Sequence, residues 1–193
     1  ASRLLADVII RLALILYEQG DLLEATALLE RALAIQQEVL GAEHTDTLST
    51  VNSLGVLYWT RGELATARVM YERAFEARER LLGRDHPRTA SAANNLGLLL
   101  TQQGEWLAAR PLLERALTAK EAELGPEHPD TTVLVMNLGY LLLQLGDWSA
   151  ARPLYERALI AREKVLGPEH PDTAVALNNL ADVLSRQGEL VAA

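Results

Sequence analysis

The stretch Gly125-Pro126-Glu127-His128-Pro129-Asp130-Thr131 decides the fold, because it recurs. Gly167-Pro168-Glu169-His170-Pro171-Asp172-Thr173 repeats all seven residues. Gly83-Arg84-Asp85-His86-Pro87-Arg88-Thr89 and Gly41-Ala42-Glu43-His44-Thr45-Asp46-Thr47 are degraded copies. The four histidines of the chain, His44, His86, His128 and His170, fall in one slot of this stretch, each 42 residues after the last. Gly20, Gly62, Gly104, Gly146 and Gly188 form a second comb with the same step. Self-similarity at a fixed period of this length marks a stacked repeat architecture, in which each unit buries its apolar face against its neighbours.

One period reads as a helical hairpin. The residue before a proline is pushed out of helical geometry, whereas proline is welcome at the first helical position. His86 is therefore expected to cap a helix A that begins at Pro87. In the next two copies Asp130 and Asp172 fall in the first turn, where a negative charge meets the helix dipole favourably. Ala93, Leu96 and Leu100 keep helical spacing to about Gln103, and Gly104 can take the left-handed conformation that ends a helix. Helix B is expected from about Glu105 to Glu123, with Leu107, Leu113, Ala116 and Leu117 inward, and Pro126 prevents its resumption past Gly125. Pro111 and Pro153 stand where the first two repeats have Ala27 and Val69, and they predict a bend in the third and fourth B helices alone. Small residues recur where helices must approach closely: Gly55, Gly97 and Gly139, with Ala13 and Ala181 in the outer copies, then Ala67, Ala109 and Ala151, then Ala74, Ala116 and Ala158.

Those residues carry a family resemblance. Leu54-Gly55, Tyr58, Ala67, Tyr71 and Ala74 resemble the tetratricopeptide repeat (TPR) pattern, and Leu138-Gly139, Ala151, Tyr155 and Ala158 repeat it. The TPR period is normally 34; here the interval from Ala74 to Pro87 is long, so the extra residues lengthen the end of helix B and the loop after it. A 42-residue unit with this loop is similar to the kinesin-light-chain type of TPR. The resemblance implies an all-α fold, a right-handed α-solenoid of stacked helix-turn-helix hairpins. It reads as a single TPR array over residues 1–193, about four and a half repeats at 3–41, 45–83, 87–125, 129–167 and a truncated 171–193, a piece of a longer array.

Composition narrows the function. The formal net charge is −8 and no Lys/Arg-rich stripe is present, which is poor chemistry for neutralising nucleic-acid phosphates. Zero cysteines exclude a disulfide framework and a thiolate metal site, and fit a cytoplasmic location. The apolar run 8–17 is broken by Arg11 and falls far short of the ~20 residues that span a bilayer. The histidines sit about one repeat apart, too far to share a metal ion whose ligands lie within ~2.3 Å of it. The chain has no cysteine, no serine recurs beside them and no glycine loop cradles a phosphate, so neither an enzyme nor a cofactor is expected. The ion pairs Arg68–Glu72, Arg110–Glu114 and Arg152–Glu156, spaced i,i+4, read as solvated scaffold.

The resemblance makes the exposed side of helix A the lining of a concave groove, and so a surface for a protein or peptide partner. On that side six asparagines occupy two adjacent slots: Asn52, Asn94, Asn95, Asn137, Asn178 and Asn179. Asparagine is a poor mid-helix residue, yet its amide donates and accepts together. Two roles stand: pairing with the backbone of a bound segment, or tying neighbouring helices together. Trp59 reads either as a groove anchor or as core; Leu98, Met136 and Tyr140 would add apolar contact. Trp106 and Trp148, which open B helices, are expected between repeats. Arg11 and Arg186 are the only groove cations the period supplies, too few to hold a carboxylate tail. The alternatives are a structural or oligomerisation spacer that associates through uncapped terminal repeats, and the sensor array of a larger regulatory protein. For the spacer, the apolar Ile10, Leu14 and Tyr17 at one end and Leu190 and Val191 at the other are the motivating residues.

Overall fold

The structure is a computed structural model and describes residues 2–188. Among the described residues there are nine α-helices and no strand: α1 Ser2–Glu18, α2 Leu22–Val39, α3 Thr45–Thr60, α4 Leu64–Leu82, α5 Pro87–Gln102, α6 Trp106–Leu124, α7 Pro129–Gln144, α8 Trp148–Leu166 and α9 Pro171–Arg186. The helices gather into two compact units, residues 1–84 with α1 to α4 and residues 85–193 with α5 to α9. In the first unit α1 packs on α2, α2 on α3 and α3 on α4. In the second, successive helices pack in the same manner and α5 also touches α7. Leu190 and Val191 lie outside the described residues.

The recurring seven residues are punctuation, and their parts can be assigned. Each histidine precedes an A helix with an extended backbone, and its Nδ1 accepts from the amide two residues on, Asp46, Arg88, Asp130 or Asp172, at 3.1 Å in every copy. An accepting Nδ1 carries no hydrogen, so the capping tautomer is the one with its hydrogen on Nε2. The threonine of the stretch turns inward and is at most 2% exposed in all four copies. Its hydroxyl can reach back to the glycine that closes the previous B helix: Thr47 donates to the Gly41 carbonyl at 2.9 Å and Thr173 to that of Gly167 at 2.8 Å. The stretch thus supplies an acceptor to the start of one helix and, through Thr47 and Thr173, a donor to the glycine just past the end of the previous one.

The other glycine comb closes the A helices. Gly104 has φ +80°, its amide donates to Thr101, and the Glu105 amide donates to Leu100. That pair of bonds is the Schellman arrangement, which requires a left-handed residue at its centre. The same two bonds recur at Gly20, Gly62 and Gly146.

Between these stops the small-residue slots bring helices together. Ala67, Ala74, Ala109, Ala116, Ala151 and Ala158 are all wholly buried. In the first unit Ala13, Ala25, Leu29, Leu54 and Leu57 form one buried cluster, flanked by Ile10, Leu33, Tyr58 and Met70. Leu107 corrects the sequence reading: it is 84% exposed. At 100° per residue it lies about 160° around the helix from Ala109, so when Ala109, Leu113 and Ala116 face inward Leu107 must face out. Helices α6 and α8 run unbroken through Pro111 and Pro153 and have the same 19 residues as α4. Both prolines lie in the second turn, where only one helical hydrogen bond is removed.

Candidate functional site

In the second unit the amides of two A helices meet. Asn137 of α7 donates from Nδ2 to Oδ1 of Asn94 in α5 at 2.9 Å, between half-buried side chains. The bond spans one residue more than the period, joining the first asparagine slot of one helix to the second slot of the next. It uses one of the donors of Asn137 and one acceptor of Asn94. Among the described residues the Asn94 Nδ2 and the Asn137 Oδ1 make no hydrogen bond. Beside this pair lies a cleft of about 250 Å³ lined by Ser91, Asn94, Asn95, Lys120, Asp130, Val133 and Leu134.

Lys120 lines this cleft, which reasoning from the A helices missed. It belongs to α6, its side chain is only 14% exposed, and its ammonium is 2.8 Å from Glu123. The period contains the signal: Gln36, Arg78, Lys120 and Arg162 share one late position of helix B. Arg78 is buried and donates to the Ser49 hydroxyl at 3.2 Å, and Arg162 donates to the Asp172 carbonyl. In the second, third and fourth copies helix B therefore sends a long cationic side chain toward an A helix.

The remaining expected residues are distributed unevenly. Leu98 is half-buried, Tyr140 is 47% exposed, Asn178 is exposed and Asn179 half-buried. Met136 is 9% exposed and belongs to the core of its unit, where an unbranched side chain suits gap-filling. It holds the α7 position that Asn94 holds in α5, so the amide pairing does not continue from α7 to α9 through that slot. Trp106 and Trp148 are about one-third exposed, and Trp106 donates from Nε1 to the Thr101 carbonyl at 3.2 Å, folding over the turn of its own hairpin.

In the first unit Asn52 is half-buried. Trp59 is half-buried too and stands T-shaped to Tyr71, ring centroids 6.3 Å apart at 87°. Trp59 is thus part packing element, part surface. Tyr71 is wholly buried and its hydroxyl has no hydrogen-bond partner among the described residues; burial pushes its pKa up. A mainly apolar cleft of about 200 Å³ opens between α1 and α3, lined by Leu14, Tyr17, Ser53, Val56 and Leu57 over Leu29. The inner face of this unit therefore offers aliphatic and aromatic surface where that of the second unit offers amides and a lysine. Among the described residues no cluster of three His, Asp or Glu could hold a metal ion, and no helix is long and apolar enough to cross a membrane.

Stacked helical hairpins with capped ends and a mixed amide and aromatic inner face define a repeat scaffold of the kind that carries protein contacts. The family model described as Tetratricopeptide repeat matches residues 4–80, 49–122, 88–159 and 131–193, and the chain belongs to that family. No curated protein matches the chain. Among solved structures it is similar to the kinesin light chain nearly identical TPR-like repeats of Podosopora anserina, at 25% identity over 98% of this chain and 89% of that one, TM-score 0.83. It is also similar to BtubC (BKLC) from P. vanneervenii, at 25% identity over 98% of this chain and 75% of that one, TM-score 0.84. The pilF protein of Pseudomonas aeruginosa, 23% identical over 98% of this chain and 72% of that one at TM-score 0.70, shares the fold. The fold class is an all-α repeat solenoid, and the family supports a protein–protein interaction scaffold as the general role.

Proposed function

We propose that the chain binds a protein partner by holding an extended segment of it against the A-helix faces, with the asparagines gripping the segment's backbone. The observation that carries this is the Asn94–Asn137 pair. Tied to each other at 2.9 Å, the two amides keep one donor group and one acceptor oriented beside an open cleft. An amide fixed by a neighbour is pre-organised, which lowers the entropy cost of gripping a ligand. Backbone N–H and C=O groups of an extended peptide supply the complementary acceptor and donor. Ser91, Lys120 and Asp130 line the same cleft and would add selectivity for a polar side chain. Asn95 and Leu98, with exposed Tyr140 and Asn178, would extend the surface along the second unit. Asn52 and Trp59 would serve in the same way on the first.

The test is a peptide-display selection on the full chain, followed by titration of a selected peptide against Asn94→Ala, Asn137→Ala and the double variant. Loss of ~10-fold or more in affinity, with helicity and melting behaviour retained, is the expected result. Unchanged affinity in a folded double variant would exclude the groove reading.

A further inference from the structure

The apolar cleft between α1 and α3 has a counterpart in the fourth hairpin, and there the space is filled. Three periods on, Ala13, Leu14, Leu29 and Val56 of the cleft align with Gly139, Tyr140, Tyr155 and Asp182. Tyr155 of α8 lays the tip of its ring over Gly139 of α7: a Cβ on that glycine would meet Tyr155 Cζ at 3.0 Å. The ring is wholly buried, and its hydroxyl lies near Asp182 of α9 and Tyr140 of α7. Burial first, then the charge of Asp182, pushes its pKa up. In the first hairpin Leu29 stands in the place of Tyr155 and is too short to reach as far. What it leaves is the cleft of about 200 Å³. The fold's own packing thus puts the end of an aromatic ring in this position. The volume agrees, because an apolar cavity of about 150 Å³ accommodates benzene. The opening belongs to the groove face itself: Leu14 is 49% exposed, and Tyr140, at the same position inside the second unit, is 47% exposed.

Two features narrow the occupant. Tyr140 and Asp182, which stand near the Tyr155 hydroxyl, are replaced by Leu14 and Val56, and apart from the hydroxyls of Ser53 and Tyr17 the lining is apolar. A bare ring therefore suits the cleft better than a phenol, whose hydroxyl would be desolvated beside aliphatic carbon. Arg11 and Glu18, both exposed, stand on α1 within a turn of Leu14 on either side, so the rim favours neither sign of charge. From this geometry we propose that the cleft takes a phenylalanine side chain of the bound partner segment, held end-on between Leu14 and Val56 above Leu29. The proposal rests on the groove reading and supplies the buried anchor that such an interface uses.

Methyl NMR of the full chain reads the cleft without any partner. The probes are the amides of N-acetyl-phenylalanine, N-acetyl-tyrosine and N-acetyl-leucine. The phenylalanine amide is expected to shift the Leu14, Leu29 and Val56 methyls with millimolar affinity, several-fold tighter than either of the others. Val56→Asp restores the counterpart of Asp182 at a half-buried position and is expected to turn the preference toward the tyrosine amide. Ala13→Gly combined with Leu29→Tyr copies the Gly139 and Tyr155 pair. It is expected to fill the cleft from beneath and abolish the shifts while helicity is retained. Methyls that stay still up to the solubility limit would overturn the proposal. So would an equal response to the leucine amide, or a Val56→Asp chain with unchanged preference. None of these outcomes involves Asn94 or Asn137, whose variants test the groove reading separately.

Discussion

Tyr71 lays its ring against Gly55. A Cβ added to Gly55 would meet Tyr71 Cε1 at 2.5 Å and Cδ1 at 2.6 Å, and the ring is wholly buried with Trp59 against it. The first hairpin solves the same contact differently: the slot holds Ala13, and the residue aligned with Tyr71 is Leu29, in the same buried cluster. The third hairpin mixes the two, with Gly97 facing Leu113. A leucine that accommodates alanine in one repeat can do so in another by a rotamer change, whereas a clamped ring cannot. Replacing a mid-helix glycine by alanine gains up to about 1 kcal/mol of helix propensity. Gly97→Ala is therefore expected to be neutral or stabilising. Gly55→Ala is expected to be destabilising by up to about 2 kcal/mol net, the ~1–3 kcal/mol of overpacking less that gain. Urea denaturation of the two variants decides the matter, and equal stabilities would contradict the clamp.

The histidines suggest a second substitution series. His128 contributes one acceptor, Nδ1, to the amide of Asp130 at 3.1 Å. Removing an N-cap acceptor costs typically about 1 kcal/mol, and asparagine is among the best replacements. His128→Ala should lower stability by about that amount and His128→Asn should recover most of it. If both melt alike, the imidazole acts there by packing and not by capping.

These caps and stops were legible in the chain because they are local. A proline fixes its own backbone and restrains the residue before it, and a glycine at a helix end needs only its own φ. Helix starts at Pro87, Pro129 and Pro171 and turns at Gly62, Gly104 and Gly146 fall where the period puts them. What could not be read was tertiary. Leu107 is apolar and helical, and only the angle to Ala109 turns it outward. Lys120 sits on helix B, and its reach into a helix A cleft depends on how closely α5 and α6 pack. The Asn94–Asn137 bond crosses 43 residues, one more than the period, and that slip is set by the angle at which hairpins stack. Met136 shares a slot with Asn94, yet its burial follows from the neighbours α7 happens to have.

That amide bond makes a separable prediction. If Asn94 and Asn137 support each other, their substitutions by alanine will not add. A double-mutant cycle on stability is expected to show coupling of about 0.5–1.5 kcal/mol, the net worth of one hydrogen bond between half-buried groups. Additivity within error would mean the amides are independent, and the pre-organisation argued for the groove would go with it.

The last prediction concerns alkaline pH. The Tyr58 hydroxyl donates to the Glu30 carboxylate. Burial first, then that hydrogen bond and the charge of Glu30, push Tyr58 up to about 12; Arg61, 5.9 Å over the ring, opposes them. A raised pKa on an acid means that the folded chain holds the proton more tightly than the unfolded one, where tyrosine titrates near 10. The contribution is therefore complete below pH ~10 and is lost as pH climbs from there toward 12. Tyr71 and Tyr155 are pushed up by burial and act with the same sign. Stability is expected to fall steeply above pH ~10. Tyr58→Phe cannot ionise, so it should begin about 1 kcal/mol lower at pH 8, for the lost hydrogen bond, and lose less between pH 10 and 12. Urea melts at pH 8 and pH 11 compare the two slopes. Equal losses in both proteins would mean that Tyr58 gives up its proton as readily folded as unfolded, and that the bond to Glu30 does not hold it.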